Sequence, residues 1–327
     1  MKILKEVDRD MWWEVAMACP YATFFHSPLW HQLASETYRE KQDASIAAVC
    51  DNSTRMVLPL LQTGRRRRGL FRSLASTFAG CYGGVIADGP ISKSEVGNLY
   101  TVALAGNVGR FQITSNPIQT DFHTARLLGV EANIDVTQIL ALNGDFDAIK
   151  SGFSKGHNSS IKKGHRMGVT VRQAESLDDY RAYYSAYEDS LRRWKEKATS
   201  CYPWRLFENG FRLSQEHPQH IKLWLAEIDQ KVIAGAWVFY WNNHADWWHG
   251  AAYEEYFNYY PNNVLQVEII RDALTQGYKY YDFNPSGGHD GVARFKGRFG
   301  ADEWPIMRWA YTDRRLRLAT SLTNLFQ

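Results

Sequence analysis

The chain is 327 residues long, 45% hydrophobic and 22% charged with a net charge of +3, which describes soluble globular protein with room for two domains. That charge is too small for wholesale nucleic-acid binding, and no apolar run reaches the ~18 residues of a membrane span. The opening Met1-Lys2-Ile3-Leu4-Lys5-Glu6 lacks the apolar core of a signal peptide, so a cytoplasmic protein is expected. Cys19, Cys50, Cys81 and Cys201 stand far apart, which fits neither a disulfide framework nor a zinc site; all four read as small buried residues. Aromatics at 14%, with 12 Trp among them, exceed what a core needs and predict an aromatic-lined groove.

In chain order, Ser27 and Pro28 supply an N-cap and first position for a helix running through Trp30 to about Thr37. Ser45 to Cys50 and Met56 to Leu61 read as a hairpin whose second strand is an edge or ends at Pro59. Arg65 to Arg68 follow as a basic loop, of the kind that is more often exposed than functional. Ser92 to Gly106 reads as a helix, and Phe111 to Thr114 and Val136 to Leu142 as strands, before the turn Asn143-Gly144-Asp145. Beyond it come a strand at Val169 to Arg172 and a helix capped by Ser176. A hairpin pairs Ile221 to Ile228 with Val232 to Trp241 across Asp229-Gln230, and Asp246 to Ala251 adds a third strand. Leu265, Ile269 and Ala273 mark one face of a further helix that Gly277 ends. Tyr278 to Phe283 is a strand, Pro285 to Gly288 a turn, and Phe295-Lys296-Gly297-Arg298-Phe299-Gly300 alternates like a strand with Lys296 and Arg298 on one face.

Strand, helix, antiparallel hairpin, strand, helix, strand resembles the order of a GNAT-type acyltransferase, and its duplication resembles the FemABX aminoacyl transferases. Phe25 to Trp30 is similar to that family's first helix start. His157-Asn158-Ser159-Ser160-Ile161-Lys162-Lys163-Gly164 is similar to its basic segment, and Tyr281-Asp282-Phe283 with Phe295 to Gly300 to its closing motif. The resemblance implies an α/β (α+β) fold of two tandem GNAT-like domains, each a mixed, largely antiparallel sheet flanked by helices. A boundary near 145 divides them into 1–145 and 146–327, with the last helix expected to pack back on the first domain. It implies transfer of an amino acid from an aminoacyl-tRNA ester to an amine of a cell-wall (peptidoglycan) precursor. His31 to Ser35 lack the Lys that many peptidoglycan-directed members carry after the helix Trp, which speaks against the standard muropeptide acceptor. The long helical arm of some members has no room here.

The chemistry follows from residue types. A CoA pyrophosphate needs a glycine-rich loop opening a helix. Here Tyr253 to Asn263 holds four tyrosines, two acids and no glycine, which suits stacking on a sugar or base as well as plain packing, with Tyr253 and Asn263 as candidate binding residues. Between Ala148 and Ala174 stand six Lys or Arg and no acid, so Asn158, Lys162, Lys163 and Arg166 are candidates for tRNA or nucleotide-sugar phosphates; a solvated basic face and, for Asn158, a helix cap are the alternatives. Aminolysis of an ester needs a cation at the developing oxyanion. Lys296 is the candidate there, Asp282 would orient it or accept the amine's proton, Arg294 and Arg298 would hold phosphate, and Trp30 is a further binding candidate. Asp282 reads equally as a buried structural carboxylate, and His249 as a packing residue rather than a base. No metal cluster stands out, and no cofactor is expected beyond the aminoacyl-tRNA donor, with a small or nucleotide-linked acceptor. An acyltransferase using acyl-CoA or an acyl carrier protein stays open, as does a catalytically silent tRNA or nucleotide-sugar binding protein.

Overall fold

The computed structural model describes residues 1–4, 6–63, 71–119, 130–195 and 201–316. Arg65 to Arg68 lie outside them, as does most of the expected final helix. The chain divides into two compact units, one of residues 1–135 with 305–327 and the other of residues 136–304. The division thus falls at two points, not at the single boundary near 145.

In the first unit, β1 (Lys2–Leu4), β3 (Ile46–Val49), β4 (Arg55–Leu58) and β7 (Ile86–Ala87) form an antiparallel sheet in the order β1-β3-β4-β7. The hairpin read from the sequence is the β3–β4 pair, and its second strand is central, ending just before Pro59. The other strands run in the order β15-β8-β6-β5-β2, comprising β2 (Lys41–Asp43), β5 (Leu61–Thr63), β6 (Arg72–Ala75), β8 (Val108–Thr114) and the end of β15 (Asp302–Thr312). Among the described residues three helices pack here: α1 (Arg9–Ala18), α2 (Pro28–Thr37) and α3 (Lys93–Leu104). Ser27 accepts the Trp30 N–H at the start of α2, and Ser92 with Glu95 makes a reciprocal capping box on α3, so the orphan amides of both helices are met locally.

The second unit holds the end of β9 (Glu131–Ala141), then α4 (Phe146–Ser151), α5 (Lys155–Arg166), β10 (Thr170–Gln173), α6 (Leu177–Trp194), α7 (Trp204–Glu216), β11 (Ile221–Ile228), β12 (Lys231–Trp241), β13 (His244–Ala252), α8 (Pro261–Thr275), β14 (Tyr280–Asp282) and α9 (Asp290–Gly297). Its strands lie in the order β10-β11-β12-β13-β14-β9, antiparallel except for the parallel pair β13–β14. Asp229 and Gln230 both take positive φ, the conformation that a two-residue hairpin turn between right-twisted strands requires. From Val232 onward β12 is buried on both faces, which explains its unbroken apolar sequence. Ala234, Ala236, Val238 and Tyr240 join Leu265, Ile269 and Ala273 of α8 in one core, while Trp237 meets Tyr180 of α6 and Phe207 of α7 on the other face. Each Val, Leu, Ile or Phe among them contributes about 1.5–3 kcal/mol by leaving water. A Cβ on Gly235 would come within 2.4 Å of the Tyr183 ring, so glycine there is what lets α6 lie against the sheet.

One expected element is different. Phe295 to Gly300 does not return as a strand; residues 290–297 are α9, and Arg298 follows as its C-cap. Phe295 and Phe299, four apart across the end of α9, meet edge to face at 5.3 Å and close around His157, a spacing that a strand would not bring together.

Candidate active site

The parallel pair β13–β14 is only three residues long, His244 to Asp246 against Tyr280 to Asp282. Beyond it β13 continues to Ala252 while β14 gives way to a loop, so the two backbones part. A cleft of about 770 Å³ opens there. Its walls are Trp247 to Ala252 of β13, Phe283 to Ser286 of the loop, Asp290 to Val292 with Phe295 and Lys296 along α9, Arg193 and Trp194 at the end of α6, and Phe257 with Asn262 before and at the start of α8. The aromatic excess seen in the sequence is thus partly spent on this cleft.

A bulge in the β12–β13 pairing leaves Trp248 as an extra residue between Trp247 and His249. Trp247 therefore packs on Phe283 and Phe295, while both Trp248 and His249 meet Tyr202 on the opposite face. His249 shares a 2.6 Å hydrogen bond with the Tyr183 hydroxyl, and burial pushes its pKa down to about 3, which leaves it neutral and a poor base. The sequence reading of His249 as a packing residue agrees with this environment.

Lys296 forms part of the cleft floor. Its side chain is buried, 4% exposed, and its Nζ donates to the Asn284 carbonyl at 2.6 Å. Burial lowers its pKa to about 8, against an opposing pull from Asp282. Asn284 holds this geometry: its φ of 57° turns the chain sharply, and its Nδ2 donates to the Trp247 carbonyl at 3.0 Å across the point where the strands part. Behind it, Asp282 is fully buried, and its Oδ1 accepts from the Asn284 N–H at 2.7 Å and the Thr137 hydroxyl at 2.9 Å. Gln138 fixes α9 and the loop together, donating to the Ala293 carbonyl and accepting from Ser286.

Of the site residues proposed from the sequence, Lys296 lines the cleft, as does His249, which was read as a packing residue. Asp282 supports it from behind without reaching the cleft surface. Because α9 turns about 100° per residue, Lys296 points inward while Arg294 and Arg298 are exposed, which corrects the shared face expected of a strand. Lys162, Lys163 and Arg166 are exposed on α5, where Lys163 lies over the Tyr260 ring at 5.0 Å. Arg172, from the same basic stretch, is instead engaged by Asp179 and Glu227. Asn158 is not an N-cap; Ser154 caps α5, and Asn158 donates to the Phe153 carbonyl just past α4. Tyr253 lies beside Lys231 and outside the cleft lining, and Asn263 is buried while its neighbour Asn262 faces the cleft. Trp30 is a core residue of the first unit, stacked on Phe78 at 4.2 Å with its Nε1 donating to Thr77, so it offers no surface to a ligand. Cys201 is exposed, unlike the other three cysteines.

Sequence reasoning missed one group. His244, Asp246 and Asp282 are all buried, with ligand-type atoms within 4.8 Å of one another. Two ligands of one ion with ~2.1 Å bonds lie about 3–3.5 Å apart, so this looser spacing, with 4.0 Å between His244 Nδ1 and Asp246 Oδ1, describes a carboxyl cluster better than an ion site. His244 and Asp246 alternate on one strand face, but their meeting with Asp282 depends on the β13–β14 register, which no local pattern reveals.

Residues 151–297 match the family described as "Acetyltransferase (GNAT) domain", and this segment lies within the second unit. The second unit therefore holds a segment similar to GNAT acetyltransferase domains. As a whole the chain has the fold of FemX, with a TM-score of 0.73 at 13% identity over 96% of this chain and 98% of that one. A tandem GNAT protein from the clavulanic acid biosynthesis pathway is similar at a TM-score of 0.56 and 11% identity, over 95% and 98% of the two chains. The C-terminal domain of an Agrobacterium fabrum protein described as a lysylphosphatidylglycerol synthetase is similar at 0.53 and 13% identity, over 88% of each chain. No curated protein sequence matches the chain. These likenesses bear out the tandem GNAT fold expected from the order of elements. Among the described residues no helix is long and apolar enough to cross a membrane.

Proposed function

We propose that the protein is an N-acyltransferase that moves an aminoacyl group from aminoacyl-tRNA to an amine of a cell-envelope precursor or a similar small acceptor. The observation that carries the choice of donor is the start of α8. A CoA pyrophosphate is held by free amides at a glycine-lined helix start. Here the first helical position is Pro261, which has no N–H, and the amides of Asn263 and Val264 are both taken by the Tyr260 carbonyl. Few donors are left for a phosphate. The exposed cations of α5 are a separate resource for a polyanionic donor.

In the reaction, the neutral acceptor amine attacks the ester carbonyl, a C–N bond forms and the ester C–O bond breaks. The proton lost by the amine ends on the departing ribose oxygen. Lys296, with one N–H committed to Asn284 and its side chain lining the cleft, stabilises the developing oxyanion as an ammonium. Asp282 is too deeply buried to take the amine's proton and serves to orient Lys296. The fold shared with FemX and with the domain described as a lysylphosphatidylglycerol synthetase accords with the FemABX resemblance from which this donor is inferred.

The domain description is the observation that favours a second reading, acetyl transfer from acetyl-CoA. Binding of charged tRNA and of acetyl-CoA, measured side by side at two salt concentrations, separates the two. Salt-sensitive tRNA binding without CoA binding supports the proposal. CoA binding alone overturns it.

A further inference from the structure

The pairing of β13 with β14 ends on two carboxylates set side by side, Asp246 opposite Asp282. Both are fully buried. Asp282 has the Thr137 hydroxyl from β9 and the Asn284 N–H on one oxygen. Asp246 has no hydrogen-bond donor near either oxygen, and its nearest basic group, His244 Nδ1, is 4.0 Å away. Its antiparallel neighbour on β12 is Phe239, which offers nothing polar. Among the described residues, the ammonium whose charge acts on Asp282 is that of Lys296 on α9. Two ionised carboxylates in an apolar setting, with that ammonium acting on Asp282, leave the charge of Asp246 without hydrogen bonds, an arrangement that binding a proton relieves.

We propose that Asp246 and Asp282 hold one proton between them, a buried carboxylic acid–carboxylate pair whose single negative charge matches the Lys296 ammonium. Asp246 is then a positioning residue: it touches no substrate but keeps the charge behind Lys296 at one instead of two. Burial, and then the charge of Asp282, raise the Asp246 pKa well above its ordinary value, in the same direction. The pair titrates as a unit, so the proton belongs to both residues. This rests on the reading of Lys296 as the working cation only for its consequence; the proton itself does not depend on the donor or on acyl transfer.

The test is infrared spectroscopy of the full chain at neutral pH, comparing wild type with Asp246→Asn, alongside total-metal analysis. The carbonyl stretch of a protonated carboxyl, shifted in D2O and absent from Asp246→Asn, is the expected result, with no divalent metal in equimolar amount. Asparagine has the shape and neutrality of the protonated acid, so Asp246→Asn should keep the Lys296 titration midpoint, followed by NMR of labelled lysine, within about half a pH unit, while Asp282→Asn lowers it by about one or more. No protonated-carboxyl band in wild type, or an equimolar metal lost on chelation, overturns the proposal. Should either variant fail to fold, the wild-type spectrum and metal content still decide it. Failure to transfer from any donor would sink the functional reading and leave these spectroscopic outcomes intact.

Discussion

Replacing Lys296 by Met keeps an unbranched side chain one atom shorter and removes its charge, and the effect on stability should depend on pH in a defined way. The fall of its pKa from 10.5 to about 8 corresponds to about 3 kcal/mol at ~1.36 kcal/mol per pH unit. Because the folded-state pKa lies below the unfolded one, the charged lysine destabilises the fold fully below pH 8. That penalty fades as pH rises and is gone above 10.5, where both states are neutral. Between those limits the unfolded chain binds the extra proton, so the wild-type free energy of unfolding rises with pH relative to Lys296→Met, by about 3 kcal/mol in all. Urea unfolding of both proteins at several values from pH 7 to 10.5 measures the difference, and subtraction cancels other titrating groups. Parallel pH dependences would refute a desolvated Lys296, and with it the idea that this amine has been placed in the cleft floor at a cost to stability.

Trp30→Ala should lose about 3–5 kcal/mol in denaturant unfolding, for a cavity beside Phe78 and a Thr77 hydroxyl without its Trp30 donor, with ligand affinity of the folded fraction unchanged; weakened binding at full stability would restore Trp30 as a ligand contact. Gly164→Val should cost about 1–3 kcal/mol, since a Cβ there meets Val264 at 2.6 Å and the Tyr259 carbonyl at 2.9 Å, and an unchanged melting curve would contradict the close approach of α5 to α8. Asp179, whose pKa Arg172 first and then its backbone partners hold down at about 2, stabilises the fold above its unfolded value near 3.8, and this is lost as pH falls through 2. Asp179→Asn should therefore destabilise by about 1–2 kcal/mol at pH 7, after screening at this partly exposed site, with the difference closing in acid. Glutamate at both Lys162 and Lys163 should weaken tRNA binding and flatten its salt dependence, and equal affinity would make the exposed α5 face merely solvated.

Where local chemistry decides an element, the sequence was readable. Ser27-Pro28 starts α2, Ser176 caps α6, and Asp229-Gln230 turns between β11 and β12, each through hydrogen bonds or φ values set within a few residues. The stretch from Phe295 to Gly300 misled because six residues with two glycines fit period two and period 3.6 alike. What separates them is distant: the Phe295–Phe299 pair closes on Phe153 and His157. The site divided along the same line. Lys296 stood out by type and motif, but its burial and the inward turn of α9 did not, so Arg298 was paired with it wrongly. Asp246 escaped notice because its meaning arises only opposite Asp282. Tyr253 and Asn263 lie in the right segment, but the short helix at Glu254–Tyr259 and the start of α8 turn Phe257 and Asn262 to the cleft instead.

In the proposed mechanism Lys296 assists transfer of an aminoacyl group from tRNA. The most direct test is single-turnover reaction of purified wild type and Lys296→Met with tRNA carrying a labelled amino acid, a pool of amine acceptors from envelope precursors, and acetyl-CoA in a parallel reaction. The expected result is label passing from tRNA to an amide product with wild type, a loss of about 100-fold or more in Lys296→Met, and no acetyl product. Acetyl transfer with the tRNA ester left intact, or equal aminoacyl transfer by both proteins, would contradict the account.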